Sequence, residues 1–389
     1  MQLLPVDERF LQRALALAQG AAAFASPNPA VGCVLTREDR EIAAGAHRYN
    51  LRDHAEIVAL KTAAASGQDV RGATAYVTLE PCSHQGRTGP CSEALITAGI
   101  MRCVVATVDP NPQVSGRGLT KLRAAGVEVV VADPLSPLAQ SARRLNDAFA
   151  FSIQHGRPFV TLKAAISADG KLAPRPSARS TQSPFWLTGP AARADVQRIR
   201  YRSDALLTGI GTVLADDPML TDRTGLERRR LLLRVVLDSD LRTPLHSKLV
   251  QSAQEDLLLL TAETSSPERE DALKIAGAEV RRVPALHGRL DLRSVIATLA
   301  AVSITSLMVE AGSALNGSLL AQDLVDEVIL YQAPVELGPD ALPLAQGQPS
   351  PEHLLERLTS VSRQHFSNGD RFDLRTSGYL HDPWIGVSP

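Results

Sequence analysis

Aromatic residues make up only 4% of the 389-residue chain, there are four cysteines, and the formal net charge is −1. Each scarcity excludes something. Four cysteines in so long a chain do not make a disulfide-stapled scaffold. A near-neutral balance is not that of a nucleic-acid binder, which carries a clear basic excess. No apolar run is long enough to span a bilayer, so no membrane partner is expected. Asp7, Glu8 and Arg9 interrupt the N-terminal stretch, which does not read as a secretory leader, and a cytoplasmic protein is expected. An internal repeat and a low-complexity tract are also missing. So is a Gly-x-Gly-x-x-Gly fingerprint after the first strand of the C-terminal half, which excludes a Rossmann dinucleotide site there. What remains is ordinary globular material, 44% hydrophobic and 21% charged, in a chain that fits two domains better than one core.

The pattern along the chain supports two α/β halves. Apolar residues at Phe10, Leu11, Ala14, Leu15, Leu17 and Ala18 predict a helix from Asp7 to about Gly20. Strands are expected near 30–36, 74–79, 103–108 and 127–131, with helices near 54–65, 91–98 and 119–125, and a closing helix over 136–151. His155-Gly156-Arg157-Pro158 breaks that helix, and the boundary is placed there: residues 1–155 and 156–389. Strands are then expected at 158–163, 205–208, 232–237, 257–261, 279–283, 306–310 and 328–332. Helices fill 191–201, 267–276, 292–301 and 314–322. Cys33 and Cys103 sit in apolar strand runs and read as small core residues.

Cys82 and Cys91 differ, because they lie in a polar loop rich in Gly and Pro. With His54 they offer three nitrogen and sulfur ligands to Zn2+, which leaves a fourth position for water. An open position marks a catalytic metal, which lowers the pKa of a bound water toward neutrality. Glu56 stands two residues after His54. In the His-x-Glu…Pro-Cys pattern of zinc deaminases, this glutamate carries the proton and is not a ligand. His-Ala-Glu and Pro-Cys are each common by chance. Their conjunction, with His54 opening one helix and Cys91 opening the next, is not; helix N-termini also favour thiolate. A purely structural zinc is the competing reading, and Glu56 argues against it.

Eight residues separate Cys82 from Cys91, where cytidine and tRNA-adenosine deaminases use Cys-x-x-Cys. The loop Leu79-Glu80-Pro81-Cys82-Ser83-His84-Gln85-Gly86-Arg87-Thr88 instead resembles the bifunctional deaminase-reductase family of riboflavin biosynthesis. So do Asn28-Pro29-Ala30-Val31-Gly32-Cys33-Val34 and Asp109-Pro110-Asn111-Pro112-Gln113-Val114-Ser115-Gly116-Arg117-Gly118. The family has Pro where this chain has Gly89, and that leaves the ligands intact. The resemblance implies a cytidine-deaminase-like three-layer α/β/α domain, and a small-molecule substrate: a diaminopyrimidinone carrying a phosphoribosylamino group. Asn28, His47, His84 and Arg87 would hold that substrate. An amide can read a heterocycle edge, and His and Arg suit hydroxyls and phosphate.

In the second half, Thr208-Gly209-Ile210-Gly211-Thr212 and Val309-Glu310-Ala311-Gly312 are strand–turn segments that could meet phosphate or be ordinary turns. With Leu162–Gly170, Trp186-Leu187-Thr188, the run to Pro218 and Val236-Leu237-Asp238-Ser239, they resemble the reductase domain of the same family, which has a dihydrofolate-reductase-like fold. The resemblance is weakest after about Gly338. It implies that Ala165, Trp186, Thr212, Asp216, Ser239 and the turn from Gly312 line an NADPH site. Arg200, Leu220, Arg223 and Glu310 would face substrate, with Lys163 beside both ligands as the candidate catalytic residue. The chain departs from the family at Pro184, where a small hydroxyl residue is usual; neighbouring Ser183 could substitute. The implied chemistry is hydrolytic deamination of the ring, then hydride transfer to C1′ of the opened ribosyl group, giving a ribityl chain. It also implies a homo-oligomer. Two readings compete: a zinc nucleobase deaminase with an inactive second domain, and a nucleic-acid editing deaminase, which would call for Cys-x-x-Cys and a basic surface.

Overall fold

The computed structural model describes residues 3–85, 89–174 and 185–387. They form two compact units. One comprises residues 1–156 with 228–230 and 383–389, the other residues 157–227 with 231–382.

The first unit is a five-stranded sheet between helical layers. Its strands are β1 (Gly32–Arg37), β2 (Arg40–Ala46), β3 (Thr74–Val77), β4 (Arg102–Val105) and β5 (Glu128–Val131), in the order β2-β1-β3-β4-β5. Strand alternation builds the two faces. Cys33, Leu35, Ala75, Val77, Cys103 and Val105 pack on one side against α2 (Ala55–Ala65), α3 (Cys91–Thr97) and α4 (Arg117–Ala124). Val34, Tyr76, Val104 and Val130 pack on the other side, against α1 (Pro5–Ala25) and α5 (Pro137–Leu145). Cys33 and Cys103 are fully buried core residues.

Three features depart from the sequence expectation. α1 runs on to Ala25 because Ala21 and Ala25 continue its buried face past Gly20. β2 was not expected; it is reached through a two-residue turn at Glu38 (φ 48°) and Asp39 (φ 57°), a hairpin geometry usually signalled by Asn or Gly. The closing helix is broken at Asn146 into α5 and α6 (Asp147–His155). Its side chain accepts from Ala30 N (2.7 Å) and donates to Ala30 O (3.1 Å), which ties the Asn28–Val34 segment down.

The second unit is built on a nine-stranded sheet. In chain order its strands are β6 (Phe159–Ile166), β8 (Ala205–Gly209), β9 (Leu233–Leu237), β10 (Leu257–Ala262), β11 (Glu279–Val283), β14 (Ser306–Val309), β15 (Glu327–Gln332), β17 (Thr359–Asn368) and β18 (Arg371–Tyr379). Between them in sequence come β7 (Lys171–Ala173), a small hairpin of β12 (Ala285–Leu286) and β13 (Arg289–Leu290), and β16 (Leu342–Pro343). The sheet order is β11-β10-β9-β8-β14-β6-β15-β18-β17. From β11 to β15 every pairing is parallel; β18 and β17 close the far edge antiparallel. One face packs on α11 (Leu292–Ala301) and α12 (Ser313–Ala321), the other on α7 (Pro190–Arg202) and α10 (Pro267–Ile275). The segment expected as a glycine turn instead opens a helix, α8 (Ile210–Asp216). The two short helices α9 (Lys248–Gln251) and α13 (Pro351–Glu356) had no signal in the sequence reading.

Candidate active sites

His54 is the N-cap of α2 and Cys91 is the first residue of α3. Both helices lean on the same sheet face, so their N-termini converge beside the Pro81-Cys82 loop. The His54 Nδ1 lies 3.5 Å from Cys82 Sγ and 3.3 Å from Cys91 Sγ, and the ligand atoms of all three residues fall within 4.8 Å of one another. The Cys91 backbone N–H donates to Cys82 Sγ (3.3 Å). One nitrogen aimed at two sulfurs is a donor set for a tetrahedral zinc. The electrostatics of the two thiols point the same way. Cys82 is drawn down to about 4 by its hydrogen bond from Cys91, despite burial, and with help from His54. Cys91 is pushed far up, first by the hydrogen bond its thiol gives to Cys82, then by burial and by the neighbouring charges of Glu56 and Cys82. Only a cation lets both be thiolates.

Glu56 lies one helical position into α2, and is 3% exposed. Burial, then the neighbouring Cys82, pushes its carboxyl up to about 7, against the pull of His54. His47 stacks edge-on to His54 with ring centroids 5.4 Å apart. Its Nδ1 is 2.8 Å from the Asp53 carbonyl and its Nε2 is 3.1 Å from Asn28 Nδ2. A carbonyl requires a donor, so Nδ1 carries the proton and Nε2 accepts from the Asn28 amide. Burial lowers the His47 pKa and keeps the ring neutral. His84 is exposed on the loop, and Arg87 lies outside the described residues.

The sequence reading missed Glu80. Its buried carboxylate accepts four backbone N–H groups: Asp109 (3.2 Å) and Gly116 (2.9 Å) at one oxygen, Gly118 (2.9 Å) and Leu119 (3.3 Å) at the other. It thereby staples the Cys82 loop to the start of α4. Gly118 comes so close that a Cβ there would sit 2.0 Å from the Pro81 carbonyl oxygen. The proximity of Glu80 to Pro81-Cys82 was the only local signal; its four backbone partners are 29 to 39 residues away. Glu80→Gln leaves one acceptor oxygen and turns an NH2 toward N–H donors. Its zinc dissociation constant should rise roughly 10- to 100-fold, as for lost supports of metal ligands. Competition with a chromophoric chelator would measure this, and unchanged zinc affinity would remove Glu80 from the site.

The second unit holds a cavity of about 1470 Å³ at the C-terminal ends of its parallel strands. Lys163, Ala165, Trp186, Arg200, Thr212, Asp216, Leu220, Arg223, Ser239, Glu310 and Gly312 all line it. Pro184 and Ser183 lie outside the described residues. In its wall the Glu310 carboxylate takes Arg200 Nε on one oxygen (2.6 Å) and Lys163 Nζ on the other (3.5 Å). Burial alone would raise Glu310; Arg200 and Lys163 more than offset it and hold it at about 2. Arg200 also donates to the Thr221 carbonyl (2.9 Å). The Lys163 ammonium lies 5.9 Å from the centre of the Tyr331 ring.

The loop before Thr221 is held under strain. Leu220 is buried at φ +56° and Asp217 sits at φ +39°. Arg234, fully buried on β9, pins it by donating to the Met219 carbonyl (3.0 Å) while paired with Asp256 (2.6 Å).

Residues 5–107 match the cytidine and deoxycytidylate deaminase zinc-binding region, and residues 158–369 match the RibD C-terminal domain. The chain is 41% identical over 347 residues to the riboflavin biosynthesis protein RibD of Escherichia coli strain K12, covering 86% of this chain and 89% of that protein. It is 40% identical over 332 residues to RibD of Actinobacillus pleuropneumoniae, covering 85% of each. Among solved structures, Acinetobacter baumannii RibD aligns with a TM-score of 0.76 at 33% identity, over 96% of this chain and 98% of that one. A diaminohydroxyphosphoribosylaminopyrimidine deaminase/5-amino-6-(5-phosphoribosylamino)uracil reductase of Thermotoga maritima aligns at 0.77 and 31% identity, over 96% and 99%. Likeness that runs through both units, one with a zinc donor set and the other with a strand-end cavity, establishes that the chain belongs to the RibD family, whose members join a deaminase to a reductase.

Proposed function

We propose that the first unit hydrolyses the ring amino group of 2,5-diamino-6-(5-phosphoribosylamino)pyrimidin-4-one and that the second reduces the ribosyl group of the product with NADPH. The observation that carries this is the convergence of His54, Cys82 and Cys91 with Glu56 buried beside them. Zinc, held by those three side chains, would supply Lewis acidity and an activated water. The rest is done by the protein. Glu56, with a carboxyl lifted toward neutrality, carries one proton from the attacking water to the ring nitrogen and then the second, from the newly added hydroxyl, to the amino group that leaves as ammonia. Neutral His47 fixes the Asn28 amide, whose orientation is then set for reading a ring edge. His84 and Arg87 would meet the ribosyl phosphate.

For the second step Lys163 and Arg200 form one cationic cluster around Glu310, which suits a phosphorylated, ring-opening sugar. The cavity also suits a dinucleotide. Ser313, the first residue of α12 and part of the lining, has a buried Oγ with no hydrogen-bond partner among the described residues. A helix start with an unused hydroxyl offers N–H and O–H donors to a pyrophosphate. NADPH supplies the hydride; Ala165, Trp186, Thr212, Asp216, Ser239 and Gly312 would hold it, with nicotinamide near Lys163. The intact Lys163–Glu310–Arg200 cluster argues against an inactive second domain.

Mass spectrometry of the diaminopyrimidinone ribosyl phosphate, incubated with zinc-loaded protein, tests both steps. Exchange of amino for oxo without NADPH, and gain of two hydrogens with it, is the expected result. Deamination alone would refute the second assignment, and no reaction would refute both. Among the described residues no helix is long and apolar enough to cross a membrane. A cytoplasmic, reducing location suits four free cysteines, two of them zinc donors. A homo-oligomer is part of the same reading, and light scattering decides it.

A further inference from the structure

Glu310 alone holds Lys163 loosely. Its carboxylate gives one oxygen to Arg200 Nε at 2.6 Å, while the Lys163 ammonium stands 3.5 Å from the other, longer than an ordinary charged hydrogen bond. A second contact lies on the opposite side, where the ammonium sits over the Tyr331 ring, 5.9 Å from its centre. Sheet order produces both contacts. β6, which carries Lys163, runs between β14 and β15; Glu310 follows β14 and Tyr331 is on β15. Lys163 pairs in register with Ile329, and Ala165 with Tyr331. Lys163 and Tyr331 therefore point to the same face of the sheet, the one covered by α7.

Tyr331 is fully buried and is not part of the cavity lining. Its hydroxyl donates to Asp195 Oδ2 on α7 (2.6 Å), and Arg375 on β18 donates to the same oxygen (2.7 Å). Burial, then the bond to Asp195, push the phenol well above its ordinary range, so it stays protonated and remains the donor. Phe366 packs beside it, with ring centroids 6.0 Å apart. A phenylalanine would fill this place without a hydroxyl, a carboxylate and a guanidinium set around it. Such buried charges often add no stability over an apolar replacement, so core packing does not account for them. They do account for a ring that must stay in one place and attract a cation. A phenol that donates to a carboxylate returns electron density to its ring, which strengthens the pull on an ammonium over the face. One helix also sets both contacts of Lys163: Asp195 fixes Tyr331, and Arg200, further along α7, fixes Glu310.

We infer that Tyr331 is a positioning residue for the reductase: tethered through Asp195 to Arg375, its ring backs the Lys163 ammonium and keeps it in the pose the reaction needs. This rests on reading Lys163 as the group that meets substrate in the second unit.

Two measurements on the full chain, zinc-loaded, test it. The first needs no activity. The chain has six lysines, so isotope labelling of the lysine ε-carbons gives six NMR signals, and Lys163→Met identifies the one that belongs to Lys163. The ring current of Tyr331 should set that signal apart in wild type, and Tyr331→Leu should return it to the region of the exposed lysines. The second is single-turnover reduction. Tyr331→Leu should lower the rate roughly 10- to 100-fold and leave KM for the pyrimidine substrate within about threefold. Tyr331→Phe keeps the volume and the ring but cuts the tether; it should lose roughly threefold and move the Lys163 signal part of the way. In a Lys163→Met background the loss from Tyr331→Leu should vanish, because a ring with no ammonium to hold has no effect on the rate. Equal losses in both backgrounds would make Tyr331 merely structural and overturn the proposal. So would a Lys163 signal that ignores Tyr331→Leu, or, where that variant does not fold, one that ignores Tyr331→Phe. A Lys163→Met enzyme that reduces at the wild-type rate overturns the reading of Lys163 beneath the proposal, and the NMR signal then still shows whether the contact itself exists.

Discussion

Glu56→Gln is expected to slow deamination about 10²- to 10⁴-fold while the protein still binds one zinc per chain, the span that removal of a general acid–base covers. The substitution keeps the shape and most hydrogen bonds of a side chain that is only 3% exposed, so the fold has little reason to change. It removes only the capacity to take up and release a proton. Burying an amide is also easier than burying a carboxylate, so stability should hold or rise. Zinc content by elemental analysis, with single-turnover deamination, separates the roles. If zinc is lost with activity, Glu56 supports the metal site instead of carrying protons. If deamination persists within tenfold of wild type, Glu56 is not the proton carrier and that part of the proposed chemistry falls.

Why this site was legible and others were not follows from the range of the interactions. His54, Glu56, Cys82 and Cys91 sit at helix starts and in a loop, so spacing alone states their chemistry. Glu80 acts through backbone N–H groups of Asp109 to Leu119, which carry no residue signature. The α/β alternation was visible because strands such as Leu257–Ala262 are apolar at every position but Thr261 and buried on both faces. β17 was invisible for the opposite reason. Of its ten residues only Phe366 is buried, and Thr-Ser-Val-Ser-Arg-Gln-His has no period of two. α8 was masked by Gly209 and Gly211, which read as turn formers. Asn146 splits the expected closing helix because its side chain spends itself on Ala30, a tertiary demand that local propensity does not contain.

Glu310→Gln should damage the reductase more than a lost substrate contact would. Both oxygens of Glu310 are occupied, by Arg200 at 2.6 Å and Lys163 at 3.5 Å, and all three side chains are at most 14% exposed. Glutamine leaves one acceptor for two cations and turns its NH2 toward the other. Breaking a buried pair from one side costs about 3–5 kcal/mol, because the partner charges stay buried. Lys163 should swing from its place near Tyr331, and displacement of a reacting group by an ångström is enough for about 10²-fold in rate. Reductase kcat/KM should therefore fall at least that far, with a lower melting temperature, while zinc-dependent deamination persists. Because Glu310 titrates at about 2 in place of its ordinary 4.5, its stabilising contribution is complete above 4.5 and disappears as pH falls through about 2. The stability gap between wild type and Glu310→Gln should thus be flat from pH 6 to 9, narrow in acid and close near the lower value. In a double-mutant cycle with Lys163→Met the losses should not add, since either change dismantles the same cluster. Additive losses, or a Glu310→Gln enzyme within threefold of wild type, would mean that Lys163 and Glu310 act separately and that the ion cluster does not position the lysine.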